Sequence, residues 1–205
     1  MFAWRITNMT KPKFERKEVL PMLRHAKGIC KTINELGYEA YVVGGALRTM
    51  MFGGYTSDVD IAVLCNVGDV DKIRSRSLRL SQFEVQHDRE YSSADGFLAD
   101  YRSGDFNIIF YDLTVYPNVE SLLGRFDLNI NMLYMGCNDS SINSFTPEII
   151  KATQNVDYYH DVLTVMFNPL RQDEFYRERS TKRIERFKNS GMKGLDWSVI
   201  ESQML

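Results

Sequence analysis

The stretch from Glu39 to Leu64 restricts the possible folds more than any other part of this chain. Glu39-Ala40-Tyr41-Val42-Val43 is a short apolar run that stops at Gly44-Gly45, and it predicts a buried strand. Ala46 to Phe52 predicts a short helix closed by Gly53-Gly54. Asp58-Val59-Asp60-Ile61-Ala62-Val63-Leu64 then predicts a second strand. Strand, diglycine turn, short helix and strand in this order require a sheet with a helix packed on it.

The chemistry suggested by this stretch follows from its residue types. Glycines after a strand let the backbone approach a ligand closely, and a helix N-terminus there favours an anion such as phosphate. Arg48 lies one turn into that helix and is within reach of the same anion. Asp58 and Asp60 are two residues apart at a strand start, so alternation places both carboxylates on one face. Two carboxylates sharing a face repel unless a cation lies between them. Mg²⁺ favours one or two carboxylates plus substrate phosphates. Asp69-Val70-Asp71 repeats the spacing beyond the strand, beside a helical pattern, and reads as a helix cap instead.

The rest of the chain fits an α/β (α+β) fold. Leu20, Met22, Leu23, Ala26, Ile29, Cys30, Ile33 and Leu36 recur at spacings of three and four from Lys17 onward, with Gly37 as the stop. A helix is expected from about Val70 to Leu80, and a strand at Phe83–His87. Residues 88–104 read as a loop. Phe106–Tyr111 predicts a strand, Val119–Phe126 a short helix, and Leu128–Tyr134 another strand. From Thr146 the pattern is mostly helical. The expected organisation is a lead-in over 1–16, a catalytic head over 17–150 with a small mixed sheet flanked by helices, and a helical, neck-like extension over 151–205.

Bulk properties set further bounds. Hydrophobic residues make up 44% of the 205 and charged residues 25%, which is ordinary globular usage. The net charge of −2 gives no global sign of nucleic-acid binding. Cys30, Cys65 and Cys137 form no CxxC pair, and so sparse and odd a set fits a reducing compartment. Neither a signal-like apolar run nor a membrane-length stretch occurs, so a cytoplasmic protein with no membrane partner is expected. The oligomeric state is left open.

VGGALRTMMFGGYTSDVDI, from Val43 to Ile61, resembles the VGGxVRDxLLGxxxxDxDI signature of class II CCA-adding enzymes and bacterial poly(A) polymerases, within the polymerase-β-like nucleotidyltransferases. Thr49 stands where that signature has Asp. Arg125-Phe126-Asp127-Leu128-Asn129-Ile130-Asn131-Met132-Leu133 is similar to the family's RRDFTINAL block. Asn168-Pro169-Leu170-Arg171, with Arg183-Ile184-Glu185-Arg186-Phe187, is similar to the segment that opens the family's helical neck, Asn168 replacing its Asp. The resemblance spans roughly residues 17–190, and the family's longer body and tail domains are not expected within these 205 residues.

The resemblance implies a transferase that moves a nucleoside monophosphate from a nucleoside triphosphate to an acceptor hydroxyl, an RNA 3′ end above all. It implies Mg²⁺ or Mn²⁺ held by Asp58 and Asp60, phosphates at Gly44, Gly45 and Arg48, and the nucleotide set by Arg125 and Asp127. It also implies a third carboxylate on the following strand, where the inward position of Asp105–Asp112 is Asn107. Asp105 and Asp112 are the substitutes a shifted register would allow. Two alternatives stay open: a nucleotide- or RNA-binding regulatory module with impaired catalysis, and a nucleotidyltransferase acting on a protein or small molecule. The charged stretch Arg171–Lys193 reads as a solvated helix face or as an acceptor groove; one-sided basic clustering would favour RNA.

Overall fold

A computed structural model describes residues 13–76, 84–85, 96–144, 163–168 and 174–204. In chain order the elements are β1 (Phe14–Glu15), α1 (Arg16–Glu35), β2 (Glu39–Val43), α2 (Gly45–Phe52), β3 (Tyr55–Thr56), β4 (Val59–Cys65), α3 (Val70–Arg76), β5 (Glu84–Val85), β6 (Phe97–Ser103), β7 (Phe106–Asp112), α4 (Val119–Leu123), β8 (Leu133–Gly136), β9 (Asn143–Ser144), β10 (Leu163–Thr164), α5 (Glu174–Lys188), β11 (Leu195–Asp196) and α6 (Ser198–Met204). The expected α/β architecture is present: a seven-stranded mixed sheet in the order β5-β6-β7-β4-β2-β8-β9 carries the head.

The central strand β4 is antiparallel to β2 and parallel to β7. Its Val59, Ile61, Val63 and Cys65 face the main core, which α1 and α2 cover with Val19, Leu23, Ala26, Ile29, Ile33, Ala46 and Leu47. Ala62 and Leu64 face the other way, into a smaller core with Val119, Leu122 and Leu123 of α4. α4 is started by Asn118, whose side chain accepts from the Ser121 N–H in a capping box. α4 packs on Ala62 and Leu64 of this face, and Asp60, where β4 begins, is half-buried.

Four expectations need correction. In α1 the inward residue is Val19, and Leu20 is 42% exposed. Within the expected loop over 88–104, Phe97–Ser103 is strand β6, paired antiparallel with β7. The buried Asp100 and the polar Arg102 and Ser103 had masked its alternation. Leu128–Tyr134 is not one strand, because Asn129–Asn131 form a 3₁₀ turn and pairing starts only at Leu133. The Asn129 side chain takes the Ile130 N–H, and that local bond competes with a ladder. The extension is not purely helical, since β10 and β11 form a short parallel pair.

Asp69 pairs with Lys72 at 2.8 Å, at the end of the 3₁₀ turn that leads into α3. The lead-in expected over 1–16 falls largely outside the described residues, as does the boundary expected between 150 and 151. So do residues 77–80 of the expected third helix and, apart from Glu84–Val85, the expected strand at 83–87. Among the described residues no helix is long and apolar enough to cross a membrane. All three cysteines are free thiols, and burial pushes Cys30 and Cys65 up to about 12.

Candidate active site

The bend between β2 and α2 requires glycine. Gly44 has φ +75° and ψ −134°, a conformation that an L side chain adopts only under strain. A Cβ placed on Gly44 would stand 3.7 Å from Asp60 Oδ2. The second carboxylate therefore lies directly beside the diglycine bend, with Asp60 opposite Val43 in the β2–β4 ladder. Asp58 immediately precedes β4, and alternation carries its Cβ to the side of Asp60. Both acids are half-buried. The Gly44 N–H is occupied by the Leu133 carbonyl at 3.3 Å. The amides left for an anion are those of the first turn of α2, which have no partners within their own helix.

These donors fit a hard cation. Two half-buried carboxylates stand where β4 begins, and Asp60 lies next to a bend whose missing Cβ leaves room. Such oxygen ligands suit Mg²⁺ or Mn²⁺. The third position differs. Asn107 pairs in register with Asp60 and donates its Nδ2–H to Asp60 Oδ1 at 2.8 Å. Of the two possible substitutes, Asp112 is at the far end of β7 opposite Cys65 and accepts from the Thr114 backbone and hydroxyl at 2.9 and 2.8 Å. Asp105 lies in the turn before β7, and its carbonyl accepts the Val59 N–H at 2.8 Å. Among the described residues no three acidic, histidine or cysteine side chains gather as a metal-ligand set.

Arg48 is turned into the protein. Its guanidinium is 8% exposed, donates to Asn131 Oδ1 and lies over the Phe187 ring at 3.9 Å. Burial pushes it down to about 9, Arg183 and Arg186 push the same way, and Asp127 and Asp60 oppose them. It remains a cation at neutral pH. Asn131 donates in turn to Asp127 Oδ1 at 2.9 Å, and Asp127 Oδ2 accepts from Ser180 Oγ at 2.9 Å and Arg183 Nη1 at 2.5 Å. Burial pushes Asp127 up, but Arg183 and the three hydrogen bonds outweigh it and hold the carboxyl below the ordinary Asp value. Arg125 is apart from this relay, with its guanidinium 5.7 Å from the centroid of Tyr116.

The geometry thus brings Gly44, Asp60, Gly45 and Arg48 together, and links Arg48 to Asp127 through Asn131. Asn131, Ser180 and Arg183 are the members of this group that sequence reasoning did not single out as site residues. The available signals were the match of Asn131 to the RRDFTINAL block and that of Arg183 to the neck segment; Ser180 had none. Asn168 is buried and donates to the Gly124 and Phe126 carbonyls at 2.7 and 2.8 Å, so this departure from the family's Asp holds the turn before Asp127. On α5 the exposed residues include Arg177, Lys182, Arg186 and Lys188 but also Glu178 and Glu185, with Lys182 paired to Glu178. Among the described residues that face carries both signs, without one-sided basic clustering.

The mixed sheet flanked by helices thus sets Asp60 beside a diglycine bend. No family profile matches the chain. The chain is nevertheless similar to curated CCA-adding enzymes and to a bacterial poly(A) polymerase, in line with its motifs. It is 30% identical to the CCA-adding enzyme of Lactobacillus gasseri over 121 residues, 57% of this chain and 30% of that relative. It is 24% identical to poly(A) polymerase I of Haemophilus influenzae over 136 residues, 60% of this chain and 30% of the relative. It therefore spans about a third of the length of these curated relatives. The crystal structure of the Bacillus stearothermophilus CCA-adding enzyme in complex with CTP shares the fold, with a TM-score of 0.54 at 20% identity over 80% of this chain and 39% of that one.

Proposed function

We propose that this chain is a metal-dependent nucleotidyltransferase that moves a nucleoside monophosphate from a nucleoside triphosphate to an acceptor hydroxyl, with an RNA 3′ end as the acceptor. The observation that carries this reading is the position of Asp60, whose Oδ2 lies 3.7 Å from the absent Cβ of Gly44. Asp58 and Asp60 hold the divalent cation, Mg²⁺ or Mn²⁺. When bound there, such ions supply neutralisation of triphosphate charge and, where a second one is held, activation of the attacking hydroxyl. Gly44 and Gly45 let the triphosphate approach the backbone, and the first turn of α2 faces its charge.

Arg48 serves the phosphates from beneath the bend. Its NH2 lies 3.5 Å from where a Gly45 Cβ would stand, and its charge remains in a water-poor site where electrostatic effects are strong. Asp127 and Asn131 keep it in that orientation. Arg125, on the Tyr116 side, is the residue of the second motif left to contact the nucleotide. The acceptor hydroxyl releases its proton to solvent as its oxygen attacks the α-phosphorus in line; that P–O bond forms while the bond from the α-phosphorus to the α,β-bridging oxygen breaks, and pyrophosphate leaves with the bonding pair.

The named CCA-adding and poly(A)-polymerase relatives support an RNA acceptor. The mixed charge of α5 favours instead a protein or small-molecule acceptor, and Asn107 favours the module that binds without turnover.

A transfer assay separates these readings. The chain is incubated with each of the four α-labelled triphosphates, total RNA and Mg²⁺, and resolved on a gel. Label on RNA that Asp58→Ala and Asp60→Ala each abolish is the expected result. Transfer that survives Asp58→Ala removes Asp58 from the mechanism. Triphosphate binding without label on RNA, protein or small molecules supports the binding module.

A further inference from the structure

We propose that this site holds one protein-bound divalent cation rather than two, because Asn107 sets a neutral hydrogen-bond donor on Asp60 where a third carboxylate would complete a two-ion set. The inference rests on the nucleotidyltransferase reading and deepens it. Asn107 and Asp60 are directly opposite in the parallel β4–β7 register, and Asn107 is 2% exposed. Its orientation is dictated by its partner: the carbonyl oxygen turned toward the Asp60 carboxylate would set acceptor against acceptor, so the NH₂ group must face it. An amide nitrogen donates and does not ligate a hard cation. One lone-pair position of Asp60 Oδ1 is therefore taken by a proton donor and the neighbouring strand adds no charge there, while Oδ2 lies toward Gly44.

Charge leads to the same conclusion. Two divalent ions roughly 3.5–4 Å apart repel strongly and need several carboxylates between and around them. A neutral side chain at position 107 leaves Asp58 and Asp60 as the acids beside the bend. Asp112 is at the far end of β7, on the opposite face from Asn107, and is engaged by its own turn. Asp105 forms no three-acid set with Asp58 and Asp60 among the described residues. The cation retained is then the one that travels with the triphosphate, and the acceptor hydroxyl must be activated without a second protein-held ion.

The test counts ions and not turnover. The full chain, saturated with a non-hydrolysable triphosphate, is titrated with Mn²⁺ and followed by electron paramagnetic resonance. One Mn²⁺ per chain is expected for the wild type, and the same count for Asn107→Ala, which removes the donor without adding charge. Asn107→Asp is expected to take up a second ion at least about tenfold more tightly than the wild type, the scale on which such neighbouring groups tune metal affinity. The wild-type count is decisive even if a variant folds poorly. Two tight ions in the wild type overturn the inference, as does an Asn107→Asp count that stays at one. Two ions falling to one in Asp105→Asn would show that Asp105 fills the third position. Mn²⁺ uptake that Asp60→Asn leaves unchanged overturns the metal reading itself, and this inference with it.

Discussion

Asp127 keeps a charge at 8% exposure, and such a group is stable only while its partners are in place. Asp127→Asn leaves Arg183 and Arg48 without their common counter-charge, and removing one partner of a buried pair typically costs about 3–5 kcal/mol. Thermal or denaturant melting is expected to show a loss of that order. The pH dependence follows from its depressed pKa. The unfolded chain takes up this proton first, so the contribution is complete above the ordinary value of 3.8 and is lost as pH falls below it through the folded value. Acid melts of the wild type should fall in that window, and those of Asp127→Asn should be flatter there. A melting curve whose acid limb is unchanged by the substitution contradicts the assignment.

Much of this residue-scale detail was legible only in part. Asp58, Asp60, Gly44 and Gly45 were found from spacing, because a strand's period of two and a glycine bend are local properties. The inward turn of Arg48 was not, because its partners Asn131 and Phe187 are distant in sequence and no local rule joins them.

At the level of elements, α1 separates burial from composition. Ile29 is 1% exposed, and Ile29→Ala is expected to cost about 2–5 kcal/mol. Leu20→Ala, on the outer face, should stay within about 0.5 kcal/mol. Paired denaturant titrations check both, and equal losses would misplace the apolar face. The helical period located the element, but two adjacent apolar residues, Val19 and Leu20, competed for one inward position and packing decided between them. The β2–α2 bend makes a sharper case. Gly44→Ala places a Cβ at positive φ, at a cost of order 1–3 kcal/mol. It also sets a methyl carbon 3.7 Å from Asp60 Oδ2. Triphosphate affinity should fall more than overall stability does, measured by calorimetry beside a melt. β6 was read as loop because an internal strand can bury an acid such as Asp100, and a sequence pattern counts that acid as polar.

On the scale of the whole molecule, α5 is fastened to the head through the middle and the C-terminal end of its inner face, and by the segment that follows it. Ser180 and Arg183 hold Asp127, Phe187 underlies Arg48, and the Lys193 N–H donates to the Phe52 carbonyl at 2.7 Å. Head and α5 are therefore expected to unfold in one transition. Hydrogen exchange of residues 174–188 should match that of the sheet, and should become faster in Arg183→Met alone. Independent melting of the helix would contradict this coupling. None of these ties was visible in the sequence, which suggested a composition boundary and gave no contact across it.

The central claim is that Asp58 and Asp60 grip a cation bearing a triphosphate beside Gly44. Calorimetric titration of nucleoside triphosphate into the protein, with and without Mg²⁺, for wild type and Asp60→Asn, tests it most directly. Binding that requires Mg²⁺ in the wild type and disappears in Asp60→Asn is the expected result. Equal affinity without the metal, or an Asp60→Asn variant that binds as the wild type does, contradicts the claim.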